Sequence, residues 1–170
     1  MPDMNDLLWK HDDTAYRDKL AVLQEIASNW SDNPNDVRDF LPTLTTIWRE
    51  NHDRERHPWV AMLAAHLLAD VQETPESALS WDKLALRSLD DVWISVQDPN
   101  LYNAALRTLP SLYLNLAQSS RLCGQLLAFG EYIRRAEVAL HWLPACAYRD
   151  DIVRTIGQEK GLVSMDTANG

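Results

Sequence analysis

The sequence predicts an all-α protein. Three observations carry that expectation. Apolar residues recur three and four positions apart along most of the chain, the period of one helix face. No segment of useful length alternates apolar and polar residues, and no hairpin turn signal is present. The stretch NPNDVRDFLPTLTTIW at 33–48 is echoed by DPNLYNAALRTLPSLY at 98–113, and both carry the same helical stripe. Six to seven amphipathic helices in two repeat-like units follow.

The first helix is read from Tyr16, Leu20, Leu23, Ala27 and Trp30, with Asp13 or Thr14 as its cap and SDNPND as its break. The second carries Val37, Phe40, Leu41, Leu44, Ile47 and Trp48. An offset of 65 aligns the prolines of NPN and DPN. It maps that stripe onto Tyr102, Ala105, Leu106, Leu109, Leu112 and Tyr113. Pro42 and Pro110 are each expected to kink or restart their helix, because proline lacks the amide donor and crowds the preceding turn.

The third helix begins near Pro58, and WVAMLAAHLLADV is apolar nearly all round, which predicts a central helix. QETPES at 72–77 separates the two units, with Thr74 and Pro75 as a cap-then-proline helix start. A helix from about Ser119 or Ser120 to Pro144 is read from Leu122, Leu126, Phe129, Ile133, Ala136 and Leu140, with Gly124 and Gly130 inside it. DDIVRTI at 150–156 forms a closing helix that stops at Gly157. A single all-α domain is therefore expected over residues 1–157, with units at about 14–73 and 74–144. A flexible tail is expected at 158–170.

Stacked amphipathic helices, a proline in one helix of each unit and polar breaks such as NPN loosely resemble the α-solenoid class, including HEAT and armadillo repeats. The unit of 65 residues is longer than the ~40–47 of those families. The resemblance implies a short solenoid or a compact bundle whose surface binds another macromolecule.

The chain carries 25 acidic and 16 basic residues, a net charge of −9. That balance opposes non-specific nucleic-acid binding and attraction to anionic membranes. It suits a basic protein partner. The N-terminal MPDMNDLLWKHDD has neither a basic region nor an apolar core, so a secretory signal is not expected. Cys123 and Cys146 lie in apolar helical context and read as buried thiols of a reducing compartment, which makes the cytoplasm the expected location.

Candidate sites are few. HDRERH at 52–57 brings His52, Glu55 and His57 into one short stretch, but their spacing does not put metal ligands on one helix face, and two arginines repel a cation. It reads as a solvated loop. His66 and Asp70, four apart, could orient an imidazole for acid–base work, although a histidine in so apolar a helix reads first as a core residue. Asp90 with Asp91 are adjacent and diverge by about 100° on a helix, so they do not form a catalytic dyad. Arg134, Arg135 and Arg149 beside Glu131, Glu137 and Asp150 predict helix-surface ion pairs. Seven tryptophans stand against two phenylalanines. Trp30, Trp48 and Trp93 fall on core stripes, whereas Trp9 and Trp59 are the better candidates for exposure, where tryptophan anchors interfaces, against the first reading that they too pack as caps on the core.

The expected function is that of a non-enzymatic, acidic, helical protein-binding module, of the inhibitor, immunity-protein or adaptor type. Trp9, His57, Trp59, Asp90 and Asp91 are its candidate contacts. No cofactor or metal is expected, and self-association into a homodimer is compatible with the exposed aromatic residues. The alternative is a helical enzyme or metal-binding protein with a site around His52, Glu55, His57 and His66.

Overall fold

The computed structural model describes residues 13–30, 39–52, 57–95 and 99–168. Among the described residues all regular structure is helical. The helices are α1 (Asp13–Trp30), α2 (Leu41–Asn51), α3 (Pro58–Asp70), α4 (Pro75–Ser95), α5 (Pro99–Leu122), α6 (Leu126–Ala139) and α7 (Ala147–Ala168), with a 3-10 turn at Leu140–Trp142 after α6. The all-α expectation holds. The chain's contacts group into two compact units, Met1–Tyr102 and Asn103–Gly170. That division falls at Tyr102 and not near residue 73. The offset of 65 pairs α2, of 11 residues, with α5, of 24 residues.

The first unit is built on α3. Nine of its 13 residues are buried, as its all-round apolar sequence predicts, and α1, α2 and α4 pack against it. The core joins Leu23 and Ile26 of α1, Leu44 and Ile47 of α2, and Val60, Ala64 and Leu68 of α3. Ile26 faces this core, while Ala27 points to solvent. Pro42 sits in the first turn of α2, where its missing amide costs nothing, so it restarts the helix. The start of α4 follows the cap-then-proline reading: the Ser77 amide donates to Thr74 Oγ1 at 3.2 Å. Gln72 fastens the turn into α4. Its Nε2 donates to the Leu68 carbonyl at 2.7 Å, and its Oε1 accepts from Ser77 Oγ at 2.6 Å.

In the second unit α5 runs through Pro110 without ending. Its core joins Leu114 and Ala117 of α5, Phe129, Ile133 and Ala136 of α6, Leu143, and Ile152 and Ile156 of α7. Two boundaries differ from expectation. Ser119 and Ser120 do not start a helix; they are buried in the last turn of α5. The break comes at Gly124, whose φ of +71° lies in the left-handed region that glycine tolerates. The amides of Gly124 and Gln125 donate back to the carbonyls of Arg121 and Ser120, closing the end of α5. Leu122 and Leu126 flank this corner and are exposed instead of lying on a buried stripe.

Gly157 does not end the last helix. α7 continues to Ala168, so most of the expected tail is helical, while residues 169–170 lie outside the described residues. The physical reason is tertiary anchoring. Ile152, Ile156, Glu159 and Val163 recur at four, three and four, and all face inward. That outweighs the ~1 kcal/mol by which glycine disfavours a helix interior.

Candidate functional site

α4 buries a stripe of Leu79, Asp82, Ala85, Leu89 and Val92. Spacings of three and four put these residues on one helix face. Asp82 is the anomaly, a carboxylate only 1% exposed among apolar neighbours. It is matched from α3 by His66, whose Nδ1 lies 3.5 Å from Asp82 Oδ1 and whose side chain is 14% exposed. Burial disfavours the charged imidazole. The facing Asp82 carboxylate, with Asp70 acting from further along α3, outweighs it and raises the His66 pKa above its ordinary 6.5.

The partner of His66 is therefore Asp82. Asp70, which sequence spacing suggested, adds only its charge. The signal for Asp82 was present in the sequence as an acid occupying an apolar register position of α4.

Near the start of α3 the structure corrects two expectations. His57 and Trp59, read as surface contacts, are 8% and 7% exposed. His57 precedes the first turn of α3, and its ring stacks obliquely on Tyr16 of α1 at 5.1 Å. Trp59 stands in that first turn, on a helix that is buried nearly all round, so it has no solvent face to occupy. Their position at a helix start does not protect them from burial when the whole helix is central.

His52 is exposed at the end of α2, with its ring stacked on Trp48 at 4.5 Å. Trp48 meets Trp81 edge-to-face at 5.1 Å. Trp93 is half-buried, edge-on to Tyr102. Trp9 and Glu55 lie outside the described residues, and Trp30 is described only in its backbone. Of the four residues in the alternative site, His52 is thus exposed while His57 is buried, and His66 pairs with α4. Among the described residues no three His, Cys, Asp or Glu side chains gather as metal ligands would.

Asp90 is exposed on α4 and Asp91 is half-buried. They belong to a surface with a clear sign. Residues 1–102 contain 19 acidic and 9 basic residues, a net −10, whereas residues 103–170 contain 6 acidic and 7 basic residues, a net +1. The whole net charge of the chain therefore resides in the first unit. Among its described residues eight acids are exposed, including Asp70, Glu73, Glu76 and Asp90, against four exposed bases.

The second unit shows the opposite character. Among the described residues, eight of the 11 exposed large apolar side chains belong to it. They include Leu127 and Trp142, neither of which the sequence singled out as exposed. Several of its charges are paired: Arg134 and Arg135 both donate to Glu131, as predicted, while Glu137 is met by Lys160 of α7. Neither cysteine is in a disulfide; Cys146 is exposed, against expectation, and Cys123 is half-buried. Among the described residues no helix is long and apolar enough to cross a membrane. Comparison with family models, with curated proteins and with solved structures finds no match.

Proposed function

We propose that the chain is a non-enzymatic protein-binding module that engages a basic partner protein in the cytoplasm through its acidic first unit. The observation that supports this reading is the segregation of charge: a net −10 in residues 1–102 against +1 in the remainder. A charge spread evenly for solubility has no reason to concentrate in one unit. Concentrated on one unit, it gives a field of one sign that steers and orients an oppositely charged partner. An inhibitor, an immunity protein or an adaptor would use such a surface, with Asp90 among the exposed carboxylates available for contact.

The test is capture from native lysate on the immobilised chain, followed by affinity measurement with the captured protein. Between about 50 and about 500 mM salt the Debye length shortens from ~14 Å to ~4 Å. The expected result is a basic partner whose affinity falls steeply over that range and falls further with Asp90→Lys. A captured protein of acidic character, or affinity indifferent to salt, would overturn the reading.

A further inference from the structure

The contact between α3 and α4 is apolar along most of its length. On α3, Met62 and Ala69 lie about one turn to either side of His66 and are buried. On α4, Leu79 and Ala85 lie one turn to either side of Asp82 and are buried as well. Each helix thus contributes one ionisable group to an otherwise apolar seam, and the two groups face each other. A buried ionic pair adds little net stability compared with well-packed apolar residues. Its best-attested use is to fix register, because any slip leaves a charge buried without its partner.

We propose that the His66–Asp82 pair fixes the register of α3 against α4 and makes that packing proton-dependent, with the imidazolium as the closed state. Loss of the proton removes the positive charge from the seam, while the Asp82 carboxylate stays buried beside a neutral ring. The two helices then gain by loosening, which admits water to the carboxylate. The turn joining them, with exposed Glu73 and the neighbouring Asp70 and Glu76, is the surface that such a change would move. This inference stands apart from the partner reading, since it concerns the packing of the first unit alone.

The charged groups around His66 are few. From α4 it is Asp82, and from its own helix Asp70. The other helices packed on α3 carry Arg49 and Glu50 on α2, with His52 just past its end, and Asp13, Arg17, Asp18, Lys19 and Glu25 on α1. Asp13 is described only in its backbone, and none of the others is among the groups that shift His66. Lys19 is engaged with Glu50 at 3.0 Å, and His52 lies on Trp48.

The sign follows from linkage. A histidine that holds its proton more tightly when folded stabilises the fold fully below its unfolded pKa of about 6.5. That contribution is lost as pH rises through the higher folded value. The folding equilibrium constant should drop about tenfold for each unit by which folding displaces the pKa.

The experiment is urea denaturation of the full chain from about pH 5.5 to about pH 9, with the His66 ring followed by NMR. Wild type is compared with the double variant His66→Met, Asp82→Leu and with Asp82→Asn. Wild type should lose stability in step with the His66 titration, and amide protection in α3 and α4 should fall with it more than protection in α6. The double variant should fold and lose the part of the pH slope that tracks His66. In Asp82→Asn the His66 midpoint should move down, a readout available even if the double variant does not fold. A wild-type curve flat across this range, a double variant that keeps the wild-type slope, or a His66 midpoint unmoved by Asp82→Asn would each overturn the proposal.

Discussion

Arg121 of α5 and Glu159 of α7 meet with Nε 2.6 Å from Oε2, and the two side chains are only 19% and 9% exposed. Gln118 Nε2 donates to the other carboxylate oxygen at 3.2 Å, so both oxygens of Glu159 are engaged by α5. This contact carries α7 past Gly157. Removing one member of a largely buried pair strands the other charge, at a cost of about 3 kcal/mol, whereas replacing both with apolar residues of similar size is close to neutral. Glu159→Leu alone should therefore lower stability by about that much, and Arg121→Met with Glu159→Leu should recover most of it. Urea denaturation followed by circular dichroism checks both. A single variant costing under about 1 kcal/mol would mean that the pair behaves as a solvated surface bridge.

Two glycines of the second unit should respond in opposite directions to the same substitution. Gly124 has a φ of +71°, where a Cβ is strained whatever the space around it. Gly124→Ala should destabilise by about 1 kcal/mol. Gly130 lies inside α6 with ordinary helical geometry and nothing within 4 Å of an added Cβ. Gly130→Ala should stabilise by about 0.5–1 kcal/mol, by restricting the unfolded chain and removing a poor helix former. Thermal midpoints of the two variants, measured side by side, decide the matter, and a shift in the same direction for both would refute the assignment of the α5–α6 corner.

What the sequence could and could not reveal follows from which physical signals are local. The helical period, the central α3 and the Thr74–Pro75 start of α4 depend on residues within a turn or two of each other, and they were legible. The end of α5 depends on the left-handed backbone at Gly124, and a stripe running from Leu122 to Leu140 hides it, because the spacing continues across the break. Glu159 falls in the stretch that reads as a flexible tail until α5 brings Arg121 to it, 38 residues away in sequence. Asp82 could be flagged as misplaced on an apolar face, but its partner depends on the fold of α3 onto α4. Trp59 and His57 illustrate the reverse error: aromatic and polar residues at a helix start look available, yet a helix buried on all sides takes its first turn inside with it.

The core of the first unit should be sensitive where the surface of the second is not. Leu68 is fully buried against α1 and α2, while Leu127 is 94% exposed. Leu68→Ala leaves a cavity and should cost about 3 kcal/mol. Leu127→Ala removes almost no contact and should stay within about 0.5 kcal/mol of wild type. Six of the seven tryptophans lie in residues 1–102, so fluorescence reports mainly on the first unit and circular dichroism on both. Loss of the fluorescence transition at lower urea in Leu68→Ala, with Leu127→Ala unchanged, is the expected pattern.

Glu131 sits in a fork of two arginines on α6. Its carboxylate accepts from Arg134 Nε at 3.1 Å and Nη2 at 2.9 Å, and from Arg135 Nε at 2.8 Å. The hydrogen bonds from Arg134 and then Arg135 stabilise the ionised form and hold its pKa below the ordinary 4.5. Because the folded value is depressed, the fork contributes stability above the unfolded pKa and loses it as pH falls through the folded one. The site is open to water, so mobile ions should screen it strongly. Following the Glu131 side-chain carboxyl by carbon NMR should give a midpoint below 4.5 at low salt that moves back toward the ordinary value near 1 M salt. Glu131→Gln should leave the urea midpoint at neutral pH almost unchanged, since two solvated arginines need no partner. A large loss of stability in that variant would show instead that Arg135, whose guanidinium lies 5.9 Å from the centre of the Tyr113 ring, relies on Glu131 to hold it over α5.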